Sequence, residues 1–593
     1  MLPCDPELRA RLVRVAQQQE APDLLLRGGQ VWSPFTGEVT AADVAICRDR
    51  VALVAPWQED IGPSTEVLDV SGRVLVPGYV EPHTHPWPFL NPLSLGEGVL
   101  CRGTTTVVLD TLLYMLAPGR VPLGDRCRDL SRHSLSHLFW AARIASQSRF
   151  PEEEEVFSEE AVGELLARPE FLATGETTRW TDFLDPQHGP RLLRLVERAR
   201  QLGCYIDGHT AGASLRRLPA LAAAGLHCCH EAITAEEALA RLRQGMWVLL
   251  RNSSLRQDLG TLLPVLQHTG FLDRFALTTD GAKAHHVTEH GHLDHLIRLA
   301  LDGGVPAPVA YRMATLNPAT CIGMGDDLGA VAPGRVADVN VLQSLQNPTP
   351  EVVVCRGQVV VRDGRLLVDP PSESFPWSEA FAGAEPRIPA WGEEVFPLPR
   401  DAPSPFPAGK LVNAVITREV PVELREEGAG LWPVGEDALV MALGDRGGRW
   451  VGRGVITNLA PGLEALASTY TTNGGVLVVG RTPGAMAASL ARLRELGGGM
   501  VVQTREAGVK EFPLTIAGIH MPTGFAAAAV AAQGLQQVFA GCGYPHADPN
   551  YTLLFLSCDF LPELRLTHAG WVRIKSGEVL LPSTPLAGVS TGR

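Results

Sequence analysis

Lysine is nearly absent from the first half of this chain. The first is Lys283, and arginine takes nearly all other basic positions, so any site that needs an amine side chain earlier than that is excluded. Basic charge as a whole is in deficit: the formal net charge is −14 and the pI about 5.7. That balance argues against a general nucleic-acid binder, which needs a basic face. No apolar run reaches the length of a membrane span. The opening "MLPCDPELRARLVRVAQQQ" lacks the apolar core of a signal peptide and reads as an amphipathic surface helix. Eleven cysteines are scattered without C-x-x-C pairing, as expected of free thiols in a reducing compartment. The expectation is a soluble, cytoplasmic protein. An H-x-E with P-C-x-x-C arrangement is also missing, which excludes zinc deaminases of the cytidine type.

What is present is length. At 593 residues the chain exceeds one hydrophobic core, and two to four domains are expected. After the N-terminal helix (1–22), residues 23–78 read as short strands broken by Gly, Pro and polar turns. The same pattern returns at 328–370 in "LGAVAPGRVADVNVLQ" and "PEVVVCRGQVVVRDGRLLV". Two hairpin-rich blocks flanking a long insert predict one composite β-sandwich domain. Between them, at 79–327, short apolar runs alternate with segments spaced for helices, such as "PRLLRLVERARQLG". Eight βα units over this length predict an α/β fold, a TIM-type (β/α)8 barrel. A doubly wound sheet is the structural rival, but it needs fewer units and usually shows a Gly-rich phosphate loop, which is missing after the first strands. Residues 371–410 are dense in proline, hence a linker or a strap held by its aromatics. Residues 411–593 read as a further αβ domain.

A barrel makes a demand on the chemistry, which should sit where strands end. "VLVPGYVEPHTHPWP" (74–88) places His83 and His85 at positions i and i+2, on one face of a strand. One such pair is a weak signal among seventeen histidines. The other predicted strand ends add Glu176 in "TGETT", His209 in "DGHT", His230 in "CCHEA" and Asp280 in "TTDG". Singly, His209 reads equally as a core histidine, Glu176 as a helix-capping partner and Asp280 as a turn residue. Jointly they are four imidazoles and two carboxylates at one rim, a donor set for two divalent cations. Zinc, iron and manganese all suit it. Glu231, beside His230, is a candidate proton donor or ring contact, or a support that fixes an imidazole. Arg251 and Asn252 at the next strand end are candidate substrate contacts, with helix-cap or packing roles as the alternative. Trp87, Phe89 and Trp180 are candidates to line a pocket, or ordinary core aromatics.

These motifs, with "HEAITAEEAL", "MATLNPA", "LRELGGGMVV", "FPLTIAG" and "FLSCDFLPELRLTHAGWV", resemble the amidohydrolase superfamily. More narrowly they resemble its adenine deaminases that carry an extra C-terminal domain, over about residue 25 to the C-terminus. The resemblance implies that His83, His85, Glu176, His209, His230 and Asp280 hold two divalent cations, manganese foremost. Many relatives bridge their metals with a carboxylated lysine, which this chain cannot supply; Glu176 takes that place. The resemblance also implies an assembly of identical chains. Departures are visible as well. Glu81 stands where these enzymes carry Asp, "TDGA" where they carry "TDDR", and "TYTTN" (Thr469 to Asn473) where they carry "HDSHN", so Thr469 and Thr472 replace two histidines.

The expected reaction is metal-dependent deamination of adenine by water, giving hypoxanthine and ammonia, with Asp280 accepting the water's proton and passing it toward the leaving nitrogen. Hydrolysis of a different cyclic amide or amidine by the same centre is the alternative. A barrel that kept its fold as a scaffold and lost catalysis is a third reading, which loss of ligands would favour; none of the six is missing.

Overall fold

A computed structural model describes residues 4–86 and 88–586; Trp87 lies outside the described residues. Eight parallel strands form a TIM-barrel-like body: β1 (Tyr79–Thr84), β2 (Thr104–Asp110), β3 (His137–Ala142), β4 (Phe171–Thr174), β5 (Tyr205–Ile206), β6 (Cys228–Cys229), β7 (Trp247–Arg251) and β8 (Phe275–Thr278). Every residue of β1, β2 and β3 is buried, as parallel strands covered by helices require.

Backbone pairing divides the strands into two arcs, β1 to β5 and β6 to β8. Short β5 and β6 leave one seam narrow, joined by the His227 N–H donating to the Ile206 carbonyl at 2.9 Å. The other seam is closed by side chains. Glu81 accepts from the Thr278 hydroxyl at 2.6 Å and from the Thr279 hydroxyl and N–H at 2.7 and 2.9 Å. These bonds tie the end of β8 to β1, a task the sequence does not advertise. Burial pushes the Glu81 carboxyl up to about 7 against the pull of those donors.

Strands from both sides of the barrel share sheets. Gln30–Trp32, Val39–Ala41 and Val74–Pro77 join Val339–Leu342, Val352–Cys355, Gln358–Arg362 and Arg365–Leu366 in one seven-stranded sheet. Val74–Pro77 runs antiparallel to Val339–Leu342 and leads through Gly78 into β1. A four-stranded sheet packs beside it, and the helix Pro6–Ala16 buries Leu8, Leu12 and Val15 along one face. In the proline-rich stretch after residue 370, Phe375, Trp377, Phe381, Trp391 and Phe396 are all buried. Its aromatics hold it down as a strap.

The C-terminal part builds a nine-stranded sheet with the helices Pro483–Leu496 and Phe525–Gly541. It sits over the barrel mouth. Asn91 donates to the carbonyls of Met521 and Thr523 at 2.8 and 3.0 Å. Gly98, on the barrel helix Pro92–Leu100, lies so close to Phe525 that a Cβ there would collide with the ring. Lys283, after β8, reaches Asp548 at 3.0 Å and Gln536 at 2.9 Å. Thr472 pairs its hydroxyl with Ser148 of the barrel at 2.7 Å, whereas Thr469 bonds the Gly518 carbonyl at 2.8 Å within its own domain.

Candidate metal centre

The six strand-end residues converge. A bulge in β1, where Glu81 and Thr84 face Val107 and Leu109 of β2, turns the strand end so that His83 and His85 lie edge to face, ring centres 4.9 Å apart. Asp280 follows β8 with φ +56°, a left-handed conformation that Asp tolerates, and Gly281 continues the turn at φ +104°. This turn brings Asp280 Oδ1 to 3.2 Å from His83 Nε2 and 3.3 Å from His85 Nε2.

Glu176 stands between two groups of rings. Its Oε1 lies 3.3 Å from His85 Nε2, while Oε2 lies 2.6 Å from His209 Nδ1 and 3.1 Å from His230 Nε2. Ligand atoms of His83, His85 and Glu176, of Glu176, His209 and His230, and of His83, His230 and Asp280 each fall within 4.8 Å of one another. One carboxylate thus serves two neighbouring triads, an oxygen to each.

The chemistry of the donors fits cations. His230 is fully buried, yet neither ring nitrogen has a hydrogen bond among the described residues. Its Nε2 is close enough to Glu176 for attraction but off the line of a hydrogen bond. Burial, and then His83, hold this imidazole's pKa down, so it is a neutral lone-pair donor. Burying such a group without a hydrogen bond is costly unless an electrophile takes the lone pair. His83, stacked on it with ring centres 4.0 Å apart, behaves otherwise. Burial would lower its pKa, but the Asp207 charge and hydrogen bond raise it well above the ordinary value. Without cations the centre therefore retains protons, which cations must displace.

Residues that spacing did not single out hold the ligands. Asp207 lies 2.6 Å from His83 Nδ1. Arg143, completely buried, donates to Glu176 Oε1 at 2.9 Å, to the Glu176 carbonyl and to Asp110 at 2.6 Å. Asp207 had a signal available, a D-x-H with the same spacing as the H-x-H of residues 83 to 85, although both of its residues lie just past the end of β5. Arg143 had none.

Glu231 is paired with Arg251, which also donates to Asp280 Oδ2 at 3.2 Å and to Asp258 at 3.1 Å. Burial would raise the Glu231 pKa, but Arg251 and the neighbouring histidines hold it down to about 2. Ionised, it is suited to accept a hydrogen bond from a proton-bearing ring edge. Asn252, also buried, faces a cavity on the barrel flank with Gln257, Leu263 and His286. Phe89 packs edge-on against Phe512 and Trp180 donates to the Ala211 carbonyl, so both act in packing. The void beside His85 is lined instead by Pro86, Asp110, Leu112, Leu113 and Gln147, with Tyr470 and Leu554 from the C-terminal domain.

Comparison with known proteins agrees in both halves. The amidohydrolase family model matches residues 158–360, and the model for the adenine deaminase C-terminal domain matches 414–578. The Bacillus subtilis protein YerA is 32% identical over 581 residues, 97% of this chain and 98% of its own. Proteins named adenine deaminase from Moorella thermoacetica and Cenarchaeum symbiosum are 31% and 30% identical. The first alignment covers 95% of this chain and 96% of the relative, the second 95% and 93%. Similarity that runs through barrel, strap and C-terminal domain alike makes this chain a member of the adenine deaminase family.

Proposed function

We propose that the protein is a metal-dependent hydrolase that converts adenine and water to hypoxanthine and ammonia. The observation that carries this reading is Glu176, whose two oxygens face two separate histidine groups. His83, His85 and Asp280 would hold one divalent cation, His209 and His230 the other, with Glu176 between them. Bound there, two divalent cations lower the pKa of water toward neutrality and supply a nucleophile for an electron-poor ring carbon. Manganese is the expected metal, with iron and zinc suited to the same donors.

The side chains then divide the remaining work. Asp280 takes one proton of the attacking water and delivers it to the departing amino nitrogen, so that ammonia leaves, while the other proton passes to the adjacent ring nitrogen as the ring carbonyl forms. Arg251 holds both Asp280 and Glu231 and keeps Glu231 ionised, poised to accept a hydrogen bond from a ring N–H. Asn252, one residue further along, lines the flank cavity instead and takes no part in this division. In this division barrel 79–327 carries the chemistry, the composite domain 23–78 and 328–370 braces its floor, and 411–593 covers the mouth.

The test pairs metal analysis with an absorbance assay on adenine, other aminopurines, pterins and hydantoins. Two cations per chain and loss of adenine absorbance are expected. An inert adenine with turnover of another ring would retain the centre and change the substrate. A protein that holds no cation would overturn the hydrolase.

A further inference from the structure

Tyr470 is buried to 1% exposure, yet its hydroxyl has no hydrogen-bond partner among the described residues. Leaving such a group unpaired is costly, and native structures rarely do so without a ligand or water to take the bond. The ring lines the void beside His85, facing Gln147 and Asp110, with Pro86, Leu112 and Leu113 as apolar walls. Tyr114, on the barrel side, has a second buried hydroxyl without a partner.

The void measures about 20 Å³, enough for about one water molecule. A purine is several times larger, so the void must widen to admit one, and Tyr470 and Leu554 of the C-terminal domain form one of its walls. Apolar walls for the faces of a flat ring, with few polar groups at its edge, are how heterocycle pockets are built. Burial raises the Tyr470 phenol well above its ordinary pKa, which keeps the proton on the oxygen and makes it a donor.

We infer that the Tyr470 hydroxyl is a substrate contact that donates to a ring nitrogen of the heterocycle, so that the C-terminal domain supplies part of the specificity pocket. This rests on the reading of the centre as a heterocycle hydrolase. It places a specificity-determining residue outside the barrel that carries the chemistry.

The experiment is Tyr470→Phe in the full-length, metal-loaded protein. Because the hydroxyl bonds nothing in the fold, metal content and melting temperature should match wild type. KM for adenine should rise roughly tenfold, the worth of one buried hydrogen bond, with kcat changed less than about twofold. Analogues in which each ring nitrogen in turn is replaced by carbon should all bind the variant more weakly than wild type, save the one that lacks the accepting nitrogen. Unchanged KM and unchanged analogue affinities would overturn the contact. So would a lowered melting temperature with parallel loss of metal, which would mark the hydroxyl as structural. If wild type ignores adenine but turns over another ring, the adenine reading fails on its own, and the same comparison is made on that ring. Should metal-loaded wild type bind none of these rings, both readings fall.

Discussion

The Asp207 carboxylate meets Nδ1 of His83 at 2.6 Å, on the side of the ring opposite Asp280. A carboxylate there holds the proton on Nδ1 and directs the Nε2 lone pair into the centre. Asp207→Asn keeps the shape and removes the charge. Affinity for the more weakly held cation should fall roughly 10- to 100-fold, measured as metal retained after dialysis against graded chelator. Retention equal to wild type would show that His83 is oriented without Asp207.

Glu176 faces both histidine groups, so one substitution should disturb both cations. Glu176→Gln is expected to lower bound metal from two per chain to one or none. Turnover should fall by about a thousandfold or more, the scale reached when a charge-stabilising group is lost. Elemental analysis and the adenine assay read the two effects separately; near-normal activity would remove Glu176 from the centre.

His292 should give the fold a pH dependence. Its ring is fully buried between Thr104 and Thr279, and burial pushes its pKa down to about 3 from 6.5. The folded form stays neutral while the unfolded chain takes up a proton below pH 6.5. Nothing is lost above that value. As pH falls from 6.5 toward 3, this one group destabilises the fold by up to about 1.4 kcal/mol per pH unit. His292→Gln should therefore flatten the decline in denaturation midpoint between pH 6.5 and 5, and an unaltered slope would clear His292 of that role.

Lys283 is 7% exposed and Asp548 is completely buried, so their contact joins two charges away from water. Burial raises the Asp548 carboxyl even beside the lysine. Asp548 also caps the helix Pro549–Phe555 by accepting from the Asn550 and Tyr551 N–H groups. Lys283→Met leaves that carboxylate without its cation, at a cost of about 3–5 kcal/mol. Amide exchange across the helices Phe525–Gly541 and Pro549–Phe555 should quicken in the variant, while the strands of the composite domain exchange as before.

The parts legible from sequence were those with a period or a chemical type. The alternation of apolar runs and helical spacing located all eight barrel strands, and each of the six metal-type residues stands at or just beyond one of their ends. Strand lengths were less legible: β5 and β6 shrink to two residues each because the chain leaves the sheet at once toward Gly208 and His230. Arg143 escaped notice for a different reason, as did the tie that Glu81, visible only as a departure from the family, makes to β8. Their partners lie 33 and about 197 residues away in sequence, and no local pattern encodes such a meeting. The contacts that join the C-terminal domain to the mouth, such as Lys283 with Asp548, were equally hidden, because they depend on how two separately readable domains dock.

That docking has a kinetic consequence. A chamber sized for one water must widen to admit a base or discharge a purine product, and Tyr470 and Leu554 form its wall on the C-terminal side. Turnover is then expected to include an outward movement of this wall, which the contact of Asp548 with Lys283 opposes. Where that movement limits turnover, a thicker solvent should slow the enzyme even when substrate saturates it.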